Sequence, residues 1–212
     1  MVLPKVFGPP RPIARRQLAD ATAQSGRDVG LSIRNQEQTY WCWAAVTEAV
    51  WRLLDRDHAR TQCQIATDNL PRPPAGGCCG TTRGGPCDST SRLDYALSRA
   101  GCLNGNRQPP LSFEQLREEI DKGLPVAIHI EWPDGSGHYI AATNWMTHSG
   151  GRQAVRISDP DGPNVDEVPF AALESAYTSR RGSWSTSYLT KRGAAPAAGE
   201  RPRGGGRHPR GD

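Results

Sequence analysis

The sequence predicts an α+β domain with its helices first and its antiparallel strands second. Two observations predict it. Residues 41–55 place Trp43, Val46, Val50, Leu53 and Leu54 at helical spacing, so that one face is apolar. At residue 126 the period changes: Val126, Ile128 and Ile130 alternate with Ala127, His129 and Glu131, as in a strand with one buried face. Helical segments precede that change and strand-like segments follow it, which divides the domain into a helical lobe and a sheet lobe.

The elements follow in order. Residues 60–70 suggest a second helix stopped by Pro71, and a Gly-, Pro- and Cys-rich loop runs over 71–89. Residues 90–100 predict a third helix, with Leu93, Ala96 and Leu97 inward and Gly101 ending it. The fourth has the clearest start. Ser112 and Gln115 form a capping box, Leu111 and Leu116 occupy the staple positions, and Gly123 closes the helix. Strands are expected at 126–131, 138–144, 153–159 and 183–190, with a short helix at 169–176.

With 23 Gly and 18 Pro among 212 residues, long loops and irregular ends are expected. Residues 1–30 read as a basic, proline-rich leader, and 193–212 as a disordered basic tail without a large apolar side chain. The working domain is therefore 31–192. The net charge of +4 comes from these ends: Lys5, Arg11, Arg15, Arg16 and Arg27 in the first, and Lys191, Arg192, Arg201, Arg203, Arg207 and Arg210 around the second. The middle of the chain carries more acid than base, which argues against nucleic-acid binding by the folded part. No apolar run reaches the ~20 residues of a membrane span, so no membrane partner is expected. The N-terminus lacks the apolar core of a signal peptide, leaving the cytoplasm or a specialised bacterial secretion system as the expected routes.

Gln36-Glu37-Gln38-Thr39-Tyr40-Trp41-Cys42-Trp43-Ala44-Ala45 is the most informative stretch. A Cys at the first turn of a helix meets unpaired N–H groups and the positive end of the helix dipole, which favour a thiolate. The plain alternative, a small buried hydrophobe, fits any position on the apolar face and gives no reason for Cys42 to open the helix. Gln36 lies six residues upstream, where a returning loop can aim its amide at the site. With the Cys42 N–H it makes a candidate oxyanion hole. Gln38 is the nearby rival for that place.

Gln-x₅-Cys-Trp at the start of the first long helix resembles the papain superfamily of cysteine peptidases. Trp41-Cys42-Trp43-Ala44-Ala45 is similar to its compact bacterial branch, which includes bacteriocin-leader-processing peptidases and effector proteases of plant pathogens. The resemblance continues in order through Gly137-His138-Tyr139-Ile140, Ile157-Ser158-Asp159-Pro160, Phe170, Tyr177 and Trp184-Ser185-Thr186-Ser187-Tyr188, covering roughly residues 34–190. It implies a papain-like two-lobed fold, with Cys42 on the helical lobe and His138 and Asp159 on the sheet lobe. It also implies a polypeptide substrate cleaved through a thioester, a monomer, and neither metal nor organic cofactor. His138 begins a strand after a glycine-flanked loop, at the exposed rim of the sheet, and is the expected base. Asp159 ends a strand before Pro160 and is the expected orienter of that imidazole. Many papain relatives use Asn there, and this chain resembles the branch that uses Asp. The same triad also suits acyl transfer, transglutamination or deamidation of a protein target.

His129 competes as base but lies mid-strand. His58, His148 and His208 read as solvent-exposed, and Asp134 and Asp161 as turn residues. Cys63, Cys78, Cys79, Cys87 and Cys102 remain open between disulfides, zinc and free thiols, although the adjacent Cys78-Cys79 pair disfavours zinc. Tyr40, Trp41, Trp43 and Trp132 read first as core and second as substrate-pocket residues. Residues 3–8, Leu-Pro-Lys-Val-Phe-Gly, loosely resemble the Pro-x-Phe-Gly site at which some effector-type relatives remove their leaders, with one extra residue between Pro4 and Phe7. A proline-rich start without a role is the plainer reading.

Overall fold

The computed structural model describes residues 22–162 and 166–193. The self-cleavage segment at 3–8, His208 and the tail beyond residue 193 lie outside the described residues. Helices α1 (Cys42–Leu54), α2 (Gln62–Asn69) and α3 (Leu93–Arg99) form one lobe. The sheet lobe holds α4 (Phe113–Asp121) and α5 (Phe170–Ser175) with seven strands among the described residues. These are β1 (Thr22–Ser25), β2 (Leu103–Arg107), β3 (Val126–Glu131), β4 (Gly137–His148), β5 (Gln153–Ser158), β6 (Asp166–Pro169) and β7 (Ser183–Thr190). Their order is β2-β7-β3-β4-β5-β6, with β1 beside the outer half of β4, and every pairing is antiparallel. The α+β class holds, but helices and strands are not cleanly separated along the chain: β1 precedes α1, β2 precedes α4, and α5 falls between β6 and β7.

Three further expectations change. Residues 22–30 belong to the sheet lobe and not to a disordered leader. Thr22 pairs with His148, the Val29 N–H donates to the Thr143 carbonyl at 3.0 Å, and Asp28 bonds Arg156 at 2.9 Å. The segment Thr-Ala-Gln-Ser has no apolar alternation to reveal it, because backbone pairing holds it. Second, α1 is buried over ten of its thirteen residues, well beyond one face. It is packed by α2, α3 and β4 together, and its Glu48 is met by Arg34 and Arg52. Third, β3 is covered on both sides. Ala127, Ala141 and Tyr188 join the core under α1, while Val126, Ile128, Ile130 and Ile140 join the core under α4 and α5. Full burial of side chains such as Ile128 or Leu116 stabilises the fold by roughly 1.5–3 kcal/mol each.

The capping box at Ser112 and Gln115 is formed, and Leu111 and Leu116 are both buried. The loop at 71–89 is fastened by disulfides Cys63–Cys79 and Cys78–Cys87. Cys102 is a free, buried thiol whose pKa burial pushes up to about 11. Among the described residues no group of acidic, His or Cys side chains is arranged to hold a metal, and no helix is long and apolar enough to cross a membrane.

Candidate active site

The site forms where the start of α1 meets the rim of β4 and β5. Residues 36–40 turn sharply into α1, and Trp41, at the N-cap, offers no side-chain cap. The first N–H groups of the helix, those around Cys42, are therefore left for another acceptor. The turn is built from outside. The disulfide-fastened loop accepts the Trp41 Nε1–H at the Cys87 carbonyl (2.7 Å), the Trp43 Nε1–H at Ser89 (3.1 Å) and the Gln38 amide at Thr81 (2.8 Å). Asp88 accepts the Tyr40 N–H at 2.9 Å. The Gln36 N–H donates to the Pro160 carbonyl at 3.0 Å, which ties this turn to the segment that carries Asp159. Trp41 and Trp43 are core residues, as first expected, and Tyr40 is exposed beside the site.

His138 leads β4 and Asp159 follows β5. The β4–β5 register pairs Ala141 with Ser158, which brings the end of β5 back beside the start of β4. His138 Nε2 and Asp159 Oδ1 are 2.7 Å apart, and their side chains are only 11% and 13% exposed. The expected rim position of His138 is therefore a buried one. Asp159 is held from two further directions: the Tyr177 hydroxyl donates to Oδ2 at 2.7 Å, and the Asp161 N–H donates to Oδ1 at 2.9 Å. Trp132 lies roughly parallel to the His138 ring (centroids 6.2 Å, 23°) and to Tyr177 (6.3 Å, 28°). Trp132 thus covers one face of the imidazole.

With Nε2 taken by Asp159, Nδ1 is the nitrogen left to face Cys42. Burial works against charge on His138. The Asp159 carboxylate and the Cys42 sulfur outweigh it and hold the imidazole pKa well above its ordinary 6.5. Burial likewise works against charge on Asp159, yet His138, the Asp161 N–H and Tyr177 keep its carboxyl below the usual range. The His138–Asp159 pair can therefore hold a proton on the imidazole next to the Cys42 sulfur.

Gln36 is buried in the turn before Cys42. Its Nε2 donates to the carbonyls of Gln38 (3.1 Å) and Thr39 (2.6 Å), while its Oε1 is buried without a partner. Gln38 points its amide instead to the disulfide-fastened loop. Of the rivals, Asp134 closes its own turn through Ser136, His58 bonds Asp55, and His129 bonds Ser185 with its pKa lowered by burial. His148 is not the exposed residue expected; its ring is largely covered and bonds Glu167 at 2.6 Å. Residue-type reasoning missed what Tyr177 and Trp132 do around Asp159 and His138. Both stand next to turns after regular elements, a signal too common to find them.

No protein-family model matches the chain, and no curated protein matches it in sequence. Among solved structures it is similar to the bromelain protease from Ananas comosus in complex with an inhibitor, at 13% identity and a TM-score of 0.44, over 79% of this chain and 98% of that one. It is also similar to the ragweed pollen allergen Amb a 11, a cysteine protease, in its proform, at 12% identity and a TM-score of 0.45, over 82% of this chain and 66% of that one. Recombinant stem bromelain precursor gives 13% identity and a TM-score of 0.43, over 80% and 70% respectively. The likeness is distant in every case.

Proposed function

We propose that this protein is a papain-like cysteine peptidase in which Cys42 is the nucleophile, His138 the acid–base and Asp159 the group that orients it. The observation that carries this reading is the buried His138–Asp159 hydrogen bond, with Cys42 beside it at the uncapped start of α1. In the reaction the Cys42 thiolate attacks the peptide carbonyl carbon, and the electron pair moves to its oxygen. The C–N bond then breaks as His138 gives its proton to the departing amine, leaving a thioester. Water attacks that thioester while His138 takes its proton, and the acid departs as the thiolate re-forms. The oxyanion is met by the Cys42 N–H and by one N–H of the Gln36 amide, released from the Gln38 carbonyl, the longer of its two bonds at 3.1 Å. The protein acts on polypeptides as a monomer, without metal or organic cofactor. Trp41-Cys42-Trp43-Ala44-Ala45 and the use of Asp at position 159 favour the compact bacterial branch over the plant-type enzymes.

Replacing Cys42 with Ala is expected to lower peptide hydrolysis on the order of 10³-fold or more and to abolish fast alkylation at neutral pH. Mass spectrometry of alkylated wild type should find the label on Cys42 and not on Cys102, which is fully covered and whose pKa is pushed up to about 11. Activity retained by Cys42→Ala, or Cys102 labelled first, would refute the assignment. Ammonia released from glutamine-containing peptides without chain cleavage would move the reading to amide transfer.

A further inference from the structure

A cavity of about 500 Å³ opens behind the His138–Asp159 pair. We propose that it seats the side chain of the residue following the scissile bond, and that it selects a cationic one, Lys or Arg, through Asp161. The inference rests on the peptidase reading above and names a part of the substrate that reading leaves open.

The position argues for the departing half of the substrate. The cavity is lined by His138 and Asp159 and by no residue of α1. The acyl half is bonded to Cys42 at the start of α1, so it is held on the other side of the imidazole. The amine that leaves takes its proton from His138, and its own side chain is the one within reach of the cavity floor. The volume matches a long side chain, since small-ligand pockets start at about 300 Å³.

The walls suit a long aliphatic stem with a charged end. Val168, Pro169, Ala172 and Ala176 line one side, and the rings of Trp132 and Tyr177 line another. The charges decide the sign. Asp159 is neutralised by His138. Glu167 is met by His148, with 2.6 Å between them. The Arg180 guanidinium lies over Trp132, 4.1 Å from the ring centroid, and 3.7 Å from Asp134. Asp161 spends its backbone N–H on Asp159, but its carboxylate makes no hydrogen bond or ion pair among the described residues. The charge left unmet in the cavity is thus negative. A Lys or Arg end group can lie against Asp161 with its stem on Ala172 and Val168.

The test uses a peptide that the enzyme cleaves, with the residue after the cleaved bond varied through Lys, Arg, Ala and Asp. Lys and Arg are expected to exceed Asp in kcat/KM by about tenfold or more, the discrimination of one charge-assisted contact in a half-enclosed cavity. In Asp161→Asn the Lys-to-Ala ratio should fall toward one, and in Asp161→Lys the Asp peptide should become the better substrate. Ala172→Phe, which fills the cavity, should lower the Lys-to-Ala ratio. Equal rates for Lys and Asp in the wild type, or a Lys-to-Ala ratio unchanged in Asp161→Asn, overturn the cavity's role and leave the peptidase reading standing. Failure to cleave any peptide while Cys42 still alkylates overturns the peptidase reading and the cavity's role together.

Discussion

Replacing Asp159 with Asn removes one charge and leaves the geometry in place. The His138 Nε2–H and the Asp161 N–H both converge on Oδ1, so the amide oxygen must take that seat. The amide nitrogen then falls where Oδ2 was, 2.7 Å from the Tyr177 hydroxyl, which can turn from donor to acceptor. What is lost is the attraction between carboxylate and imidazolium. An opposite charge at this distance moves a pKa by about 1–3 units. Without it, burial works against the His138 charge and only Cys42 is left to oppose burial. The sign is fixed: the charged imidazole exists below its pKa, so its loss marks the alkaline limb of reactivity, and that limb should move down by about 1–3 pH units. The assay is the second-order rate of Cys42 alkylation between pH 5 and about 10, alongside kcat/KM on a peptide. Activity near pH 6 should survive in Asp159→Asn and fall much further in Asp159→Ala, which loses the orienting bond as well. An alkaline limb unmoved in Asp159→Asn would refute the reasoning that this carboxylate sustains the charge on His138.

Two further predictions concern stability. The pair stabilises the fold where both partners are charged. Asp159 is held below its ordinary 3.8, so its share is present above 3.8 and is lost as the pH falls through the lowered folded value. His138 is held above its ordinary 6.5, so its share is full below 6.5 and is lost as the pH rises through the raised folded value. The difference in Tm between wild type and Asp159→Asn should therefore be largest between pH 3.8 and 6.5, as thermal unfolding across pH will show. At Gly182 an added Cβ would lie 2.3 Å from Ile130 Cγ2 and 2.6 Å from the Trp132 ring, so Gly182→Ala should cost about 1–3 kcal/mol in urea unfolding. It should also lower kcat/KM by shifting the ring that covers His138; an unchanged pair of values would show that Trp132 yields freely.

Local pattern carried much of this architecture. The capping box at Ser112, the alternation at Val126–Ile130 and the apolar spacing of α1 each place an element near its observed bounds. The order of Gln36, Cys42, His138 and Asp159 likewise marked residues that the fold draws to one place. What stayed hidden depends on remote partners. The strands β1, β2 and β6 are short and largely polar, and β2 reads Leu-Asn-Gly-Asn-Arg. They exist because β4, β7 and β5 offer backbone groups to pair with, which no window of residues displays. Cys78 and Cys79 are neighbours in the chain yet bond Cys87 and Cys63 respectively, a choice that spacing alone does not decide. The hydroxyl of Tyr177 reaches Asp159 across 18 positions of chain, and nothing near Tyr177 in the sequence announces that contact.

The loop that carries the two disulfides sets opposite chemical demands on one small region. Four sulfurs must be oxidised for the loop to hold Trp41, Gln38 and Tyr40 in place, while Cys42, next to Trp41, must stay a free thiol to serve as the proposed nucleophile. A reductant that restores an oxidised Cys42 therefore attacks the scaffold beneath it, and an oxidant that closes the scaffold threatens the Cys42 thiol. Handling the protein becomes a matter of rates. A brief, mild monothiol treatment should raise turnover, whereas long exposure to a strong dithiol should lower it, with four new thiols appearing as activity fades. Chains made where thiols stay reduced should emerge with α1 folded and the approach to it unmade.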